Sequence, residues 1–382
     1  MKNFPLSFDY QSSTPCLPEV LEAMSPYWEE YWGNASSRQN RVGIYSAAAV
    51  SLAREQIASY LKIKPSRVIF TSGATEANNL ALLGHSRYKS FLKGKPGHLI
   101  TMTTEHHSVL DPMRQLQNEG FRLTELRPDA EGFLSCDLLR ESFEKDTFMV
   151  SVMLANNEIG VIQPINEISS LCRECGVIFH CDAVQGFGYL PLDLNQTHID
   201  FASICAHKLY GPKGIGALVI NEDVAITPLQ WGGGQENGLR PGTLPVPLIV
   251  GFAKAVEIAY QELNTRNQNL RTLRNKLLNG LRNAIPDLKI NGSMDQRLPH
   301  NLNISIPGVN GNRLHRQLKP FLSCSSGSAC NNGEPSHVLL EIGRNLQETQ
   351  ASLRLSLGRD TKSEDIENAI KVIAKTTGSL RA

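Results

Sequence analysis

The sequence has 382 residues, 41% of them hydrophobic and 20% charged, with 38 Lys and Arg against 37 Asp and Glu. At about 150 residues per domain this length calls for two or three domains around a large core, and the composition excludes a dominantly disordered chain. A formal charge of +1 lacks the basic excess that drives non-specific nucleic-acid binding, and no run of about 18 apolar residues exists to span a membrane.

From Arg67 to about Ile220 short β-rich runs alternate with helical stretches. Strands are predicted at Val68–Phe70, His98–Met102, Phe148–Leu154, Val177–His180, Phe201–Ile204 and Gly216–Ile220. Helices are predicted between them at Thr75–Lys93, His107–Glu119 and Ile165–Cys175. Several of the strands are apolar at successive positions, as strands covered on both faces are, which predicts a mostly parallel α/β sheet in a large three-layer domain. One long helical stretch from Pro245 to about Ala284 is read as the link to a smaller α+β domain. That domain has strands at Asn301–Ile306 and Ser352–Leu357, helices near 312–319 and 336–341, and a final helix from Ser363. The expected boundaries are residues 16–250 for the large domain and 1–15 with 251–382 for the small one.

Eight cysteines are scattered at 16, 136, 172, 175, 181, 205, 324 and 330. This spread fits a reducing compartment, and with no apolar leader at the start the chain is expected to be cytoplasmic. The Cys172 and Cys175 pair has no second pair at zinc spacing and reads as two positions on a helix face, so no metal is expected.

Lys208 follows an apolar strand and precedes Gly211-Pro212, a strand end of the kind where α/β sheets place their sites. Alone, such a lysine reads as a solvated surface charge. Asp182 follows another apolar strand, where it either caps a helix or holds a protonated ring nitrogen. Thr71 to Asn78 (Thr-Ser-Gly-Ala-Thr-Glu-Ala-Asn) passes from strand through glycine into a helix start, where free N–H groups and the helix dipole favour a phosphate. His106 either begins a helix or stacks on a planar ring.

In that order, phosphate cradle, histidine, acid and lysine, the sequence resembles the pyridoxal-phosphate enzymes of aminotransferase class V, and among them the cysteine desulfurases. The most specific stretches are Thr71–Glu76, Asn156–Gly160, His207–Gly214 and Ser325–Cys330. The resemblance covers nearly the whole chain and implies the fold-type I architecture of aspartate aminotransferase. It implies pyridoxal 5'-phosphate held covalently by Lys208, with Asp182 on the ring nitrogen and His106 stacked on the ring. Gln185 and Asn157 would lie near the phenolic oxygen. Ala74, Thr75 and His207 would bind the phosphate, with Cys205 beside them. Thr243 would reach the phosphate of a neighbouring subunit, which implies a homodimer. Arg354 would clamp the substrate carboxylate, with Asn34 and Asn157 nearby.

Cys330 stands in a Ser-, Gly- and Asn-rich segment that suits an exposed loop better than a core, where an accessible thiolate is a nucleophile. Cys324 follows Phe321-Leu322-Ser323 and is expected to be buried. The resemblance therefore implies that L-cysteine becomes L-alanine, with sulfur held as a persulfide on Cys330. That sulfur would pass to an acceptor protein of iron–sulfur, tRNA-thiolation or DNA-phosphorothioation machinery. A selenocysteine lyase, a C–S lyase releasing sulfide and a non-catalytic sulfur-transfer scaffold are the other readings; no direct nucleic-acid or membrane contact is expected. The sequence departs from the family at Cys205, where serine is usual, and in the 9–15 run, usually Ala-Ala/Ser-Thr-Thr. It departs again at Asn40, where histidine is common, and in a shorter stretch from Cys330 to Pro335.

Overall fold

The computed structural model describes residues 5–326 and 334–382. Its strands are β1 (Leu6–Ser7), β2 (Val68–Thr71), β3 (His98–Met102), β4 (Arg122–Leu126), β5 (Thr147–Ser151) and β6 (Ile178–Asp182). There follow β7 (Phe201–Cys205), β8 (Gly216–Ile220), β9 (Lys289–Ile290), β10 (Asn301–Ser305), β11 (Leu322–Ser323) and β12 (Ser352–Ser356).

Seven strands form one sheet in the order β2-β8-β7-β6-β5-β3-β4. Neighbours from β7 to β4 are parallel, and β8 is antiparallel to both β2 and β7. The alternation of side chains along each strand splits two apolar layers. Val68, Phe70, Ile100, Met102, Val150, Ala217 and Val219 enter the larger core with helices Arg41–Leu61, Ile165–Glu174 and Val246–Gln261. Ile69, Leu99, Met149 and Leu218 face the other way, against helices Ala74–Lys93 and His107–Asn118. The expected three-layer arrangement is the one observed.

The remaining strands make two small sheets, β12-β10-β9 and β1-β11. Leu6 pairs with Leu322 and Asp9 bridges Ser356, so the first residues return to the last part of the chain. The stretch from Pro245 to Ala284 is two helices, Val246–Gln261 and Leu263–Ala284, and not one. The break falls at Glu262 (φ −93°, ψ −1°), whose carboxylate is bound by Arg359 at 2.6 Å. Strand β4 and helix Arg41–Leu61 are additions to the elements read from sequence.

After β3 the chain crosses to the edge strand β4 and returns to β5 on the other side of β3. A crevice opens at the carboxyl ends of such strands, where the order reverses. His106 follows β3, Asn157 follows β5, Asp182 ends β6 and Lys208 follows β7.

Candidate active site

A cavity of about 500 Å³ opens there, lined by Ala74, Thr75, His106, Asn157, Asp182, Gln185, His207, Lys208 and Arg354. Nine of the sequence-predicted site residues thus converge from opposite ends of the chain.

The turn from β2 into helix Ala74–Lys93 passes through Gly73 at φ +155°, where a Cβ would meet nothing within 4 Å. The glycine is required by backbone conformation and not by crowding. It turns the helix N-terminus, with Thr75, toward the cavity. Glu76 would oppose an anion at this end, yet its carboxylate is held by Arg240 at 2.9 Å and by the Ser72 N–H at 2.6 Å. His207 lines the same cavity, and burial pushes its imidazole down to about 4, so it is neutral near pH 7.

Asp182 accepts Nδ2 of Asn78 at 2.8 Å and the N–H of Val184 at 3.1 Å. The Asn78 amide also donates to Ser108 Oγ at 2.8 Å, and Ser108 Oγ lies 2.8 Å from His106 Nδ1. The Ser108 backbone N–H donates to that same Nδ1 at 3.1 Å, which leaves the neutral ring's proton on Nε2. Burial lowers the His106 pKa, with Asp182 opposing and Lys208 reinforcing the shift. His106 is also the residue that begins helix His107–Asn118, the first of the two readings given to it.

Lys208 sits on a tight turn in which Tyr210 is left-handed (φ +63°), held by Thr14 Oγ1 accepting its N–H at 2.8 Å. Its amine donates to the carbonyls of Gln11 and of Ser12, the latter at 2.8 Å. Arg354 is only 2% exposed and reaches the cavity from the middle of β12, an edge strand of the small sheet. It donates to the carbonyl of Asn157 at 3.0 Å, Asp9 Oδ1 at 2.7 Å and Ser12 Oγ at 2.6 Å.

Three expected residues are not brought to this cavity. Cys205 ends β7 opposite Gly216 and is buried, its sulfur facing the N–H groups of His207 and Lys208. Burial pushes its thiol up to about 12. Asn34 is exposed in the turn before helix Arg41–Leu61, where its Oδ1 accepts the Ser36 N–H at 2.9 Å. Thr243 is exposed beside Gly242, whose N–H is held by Gln235. Cys330 lies outside the described residues. Of the paired cysteines, Cys172 is buried and Cys175 exposed at the end of a helix. Asn78, Ser108 and Ser12 join the site without a sequence motif that marks them. The available signal for Asn78 was a polar residue three positions after Thr75, on the same helix face.

The family model for aminotransferase class-V matches residues 6–369. The chain belongs to that family. Among its class-V relatives is the cysteine desulfurase IscS of Rickettsia bellii, 44% identical over 381 residues, covering 99% of this chain and 92% of the relative. A solved NifS-like protein superposes with a TM-score of 0.91 at 34% identity, covering 99% of this chain and all of the other. SspA, solved in complex with cysteine, superposes at 0.80 with 36% identity over 92% of this chain and 98% of its own. The class-V fold is thus fold-type I, as the sheet order already indicates.

Proposed function

We propose that the chain is a pyridoxal-phosphate-dependent cysteine desulfurase that converts L-cysteine to L-alanine and holds the sulfur on Cys330. The observation that carries this reading is the convergence of Lys208, Asp182, His106 and Arg354 on one cavity. The residues fit the cofactor. Asn157 Oδ1 is buried at the cavity with no partner, and the helix N-terminus beside Thr75 is free of any side chain at Gly73. Lys208 would hold the group covalently, Asp182 would hold the proton of its ring nitrogen, and neutral His106 would lie on its face.

When bound, pyridoxal phosphate withdraws electrons from the substrate carbon. Lys208 Nζ takes the Cα proton, and the Ser12 and Gln11 carbonyls orient that amine. Arg354 holds the carboxylate. Cys330 thiolate then attacks the substrate sulfur: the S–S bond forms, the Cβ–S bond breaks, and the carbon keeps the electron pair and is protonated to alanine. The persulfide is passed to an acceptor protein.

A homodimer is supported by large apolar side chains left in solvent on one part of the chain, among them Trp28, Trp32, Ile44 and Leu52. In such a dimer Thr243 serves the other subunit. The division at residues 16–250 is supported by β1 pairing with β11. No helix among the described residues is long and apolar enough to cross a membrane, and the described cysteines are free thiols, which supports a reducing cytoplasm. The test is brief exposure to L-cysteine: alanine must appear with protein-bound sulfur. Free sulfide without bound sulfur would make the enzyme a C–S lyase, and no alanine at all would sink the proposal.

A further inference from the structure

Ser12 stands between the two side chains that an amino acid must meet at once. Its carbonyl accepts the Lys208 amine at 2.8 Å and its hydroxyl accepts Arg354 Nη2 at 2.6 Å. The residue lines the cavity and is only partly buried.

The guanidinium of Arg354 is crowded on one side and unfinished on another. Nη2 has two hydrogens and three acceptors: Asp9 Oδ1 at 2.7 Å, Ser12 Oγ at 2.6 Å and Ser325 Oγ at 3.1 Å. Nη1 donates to the Asn157 carbonyl at 3.0 Å, whereas Nε is buried without any partner. A buried charged donor left unpaired is costly, which points to a ligand acceptor at this place. Asp9 already neutralises the arginine, so a second carboxylate arriving there meets a like charge and needs a further donor. Accepting from Arg354 uses a lone pair of Ser12 Oγ and leaves the hydroxyl hydrogen able to donate.

We propose that Ser12 is a positioning and specificity-determining residue of the amino-acid site, selecting ligands that carry an α-carboxylate. Its hydroxyl donates to that carboxylate while still accepting from Arg354, and its carbonyl sets the distance from carboxylate to the Lys208 amine. The inference rests on the reading of the cavity as an amino-acid site.

The test uses two probes on the holoenzyme, with affinity read by calorimetry. One is 3-mercaptopropionate, which has thiol and carboxylate but no amine; the other is cysteamine, which has thiol and amine but no carboxylate. Ser12→Ala is expected to weaken 3-mercaptopropionate about tenfold, the loss of one hydrogen bond to a charged group, and to leave cysteamine unchanged. Ser12→Thr, which keeps the hydroxyl, restores the first probe. With L-cysteine the Ala variant raises KM about tenfold with kcat little changed. An unchanged affinity for 3-mercaptopropionate overturns the proposal. So does an equal loss for both probes, which would mean a general disturbance of the site. Failure of the desulfurase reading shows separately, as a parent enzyme that makes no alanine from L-cysteine.

Discussion

Asn78 reaches Asp182 across 104 residues of chain, its Nδ2 lying 2.8 Å from Oδ2. One amide thereby ties the acid at the end of β6 to Ser108 and, through it, to His106. The Asp182 carboxylate and the His106 ring are tied into one network, so disturbing either end should be felt at both. In the proposed function Asp182→Asn removes the charge that would hold a ring-nitrogen proton, and turnover should fall by more than tenfold, about 1.4 kcal/mol, with cofactor still bound. Asn78→Ala keeps the charge and should cost less than Asp182→Asn. Turnover and cofactor absorbance measured on both variants decide it; an Asp182→Asn enzyme near parental rate would leave the carboxylate a mere cap.

Lys208→Ala should abolish covalent attachment of the cofactor. The amine is placed in the cavity by a turn with a left-handed tyrosine and by two carbonyls, and the other lining lysine, Lys213, lies beyond the Gly211-Pro212 turn. Borohydride reduction followed by peptide mapping should label the peptide of Lys208 in the parent and nothing in the variant. A label on Lys213 would contradict the assignment.

The central strands were legible because both of their faces are covered, which leaves apolar runs such as 98–102 and 201–205. Strand β4 was not: it lies on the sheet edge and carries Arg122 and Glu125, both in surface ion pairs. Helix Arg41–Leu61 buries Gly43, Ser46, Ala49 and Ala53, small residues that give a weak apolar stripe. The break at Glu262 has no Gly or Pro to announce it, and the carboxylate there is bound by an arginine 97 residues later. The places of Lys208, Asp182 and Thr75 at the cavity were legible because each lies at or soon after a strand end or glycine turn. Ser12 was not, since its contacts are with a lysine 196 and an arginine 342 residues away. Cys205, the last residue of β7, is buried beside the N–H groups of His207 and Lys208 and does not line the cavity.

Stability should fall as the medium turns acidic, in part through two buried histidines. Burial pushes both His180 and His300 down to about 3. His180 is held between Ser151 Oγ at 2.7 Å and Ser203 Oγ at 3.2 Å, and His300 stacks on Tyr189 with centroids 4.1 Å apart. In the unfolded chain each takes a proton at about 6.5. Between about pH 6.5 and 3 the unfolded state therefore binds more protons, and stability declines as pH falls by up to about 1.4 kcal/mol per pH unit for each histidine. His300→Gln should flatten the dependence of unfolding free energy on pH by about one proton between pH 6 and 4. His180→Gln should do the same. Variants with the parental slope would show that these rings are already protonated in the folded protein.

Cys330→Ser should bind L-cysteine yet form no persulfide and almost no alanine. Carbon and sulfur are handled by different groups: Lys208, Asp182 and Arg354 converge on the cavity, and none of them is a nucleophile toward sulfur. The nearest rival in sequence is Cys324, directly after β11. Burial pushes its thiol up to about 12, with the charge of Asp9 adding to the shift and Arg354 opposing it. At neutral pH that thiol stays protonated and is a poor nucleophile. Cys205, at about 12 as well and buried beneath the Lys208 turn, is disqualified on the same ground. Mass spectrometry after brief exposure to L-cysteine should therefore find an adduct of about 32 Da, one sulfur atom, on the peptide that carries Cys330. An adduct on Cys324, or alanine from the serine variant at the parental rate, would mean that sulfur leaves this site by another route.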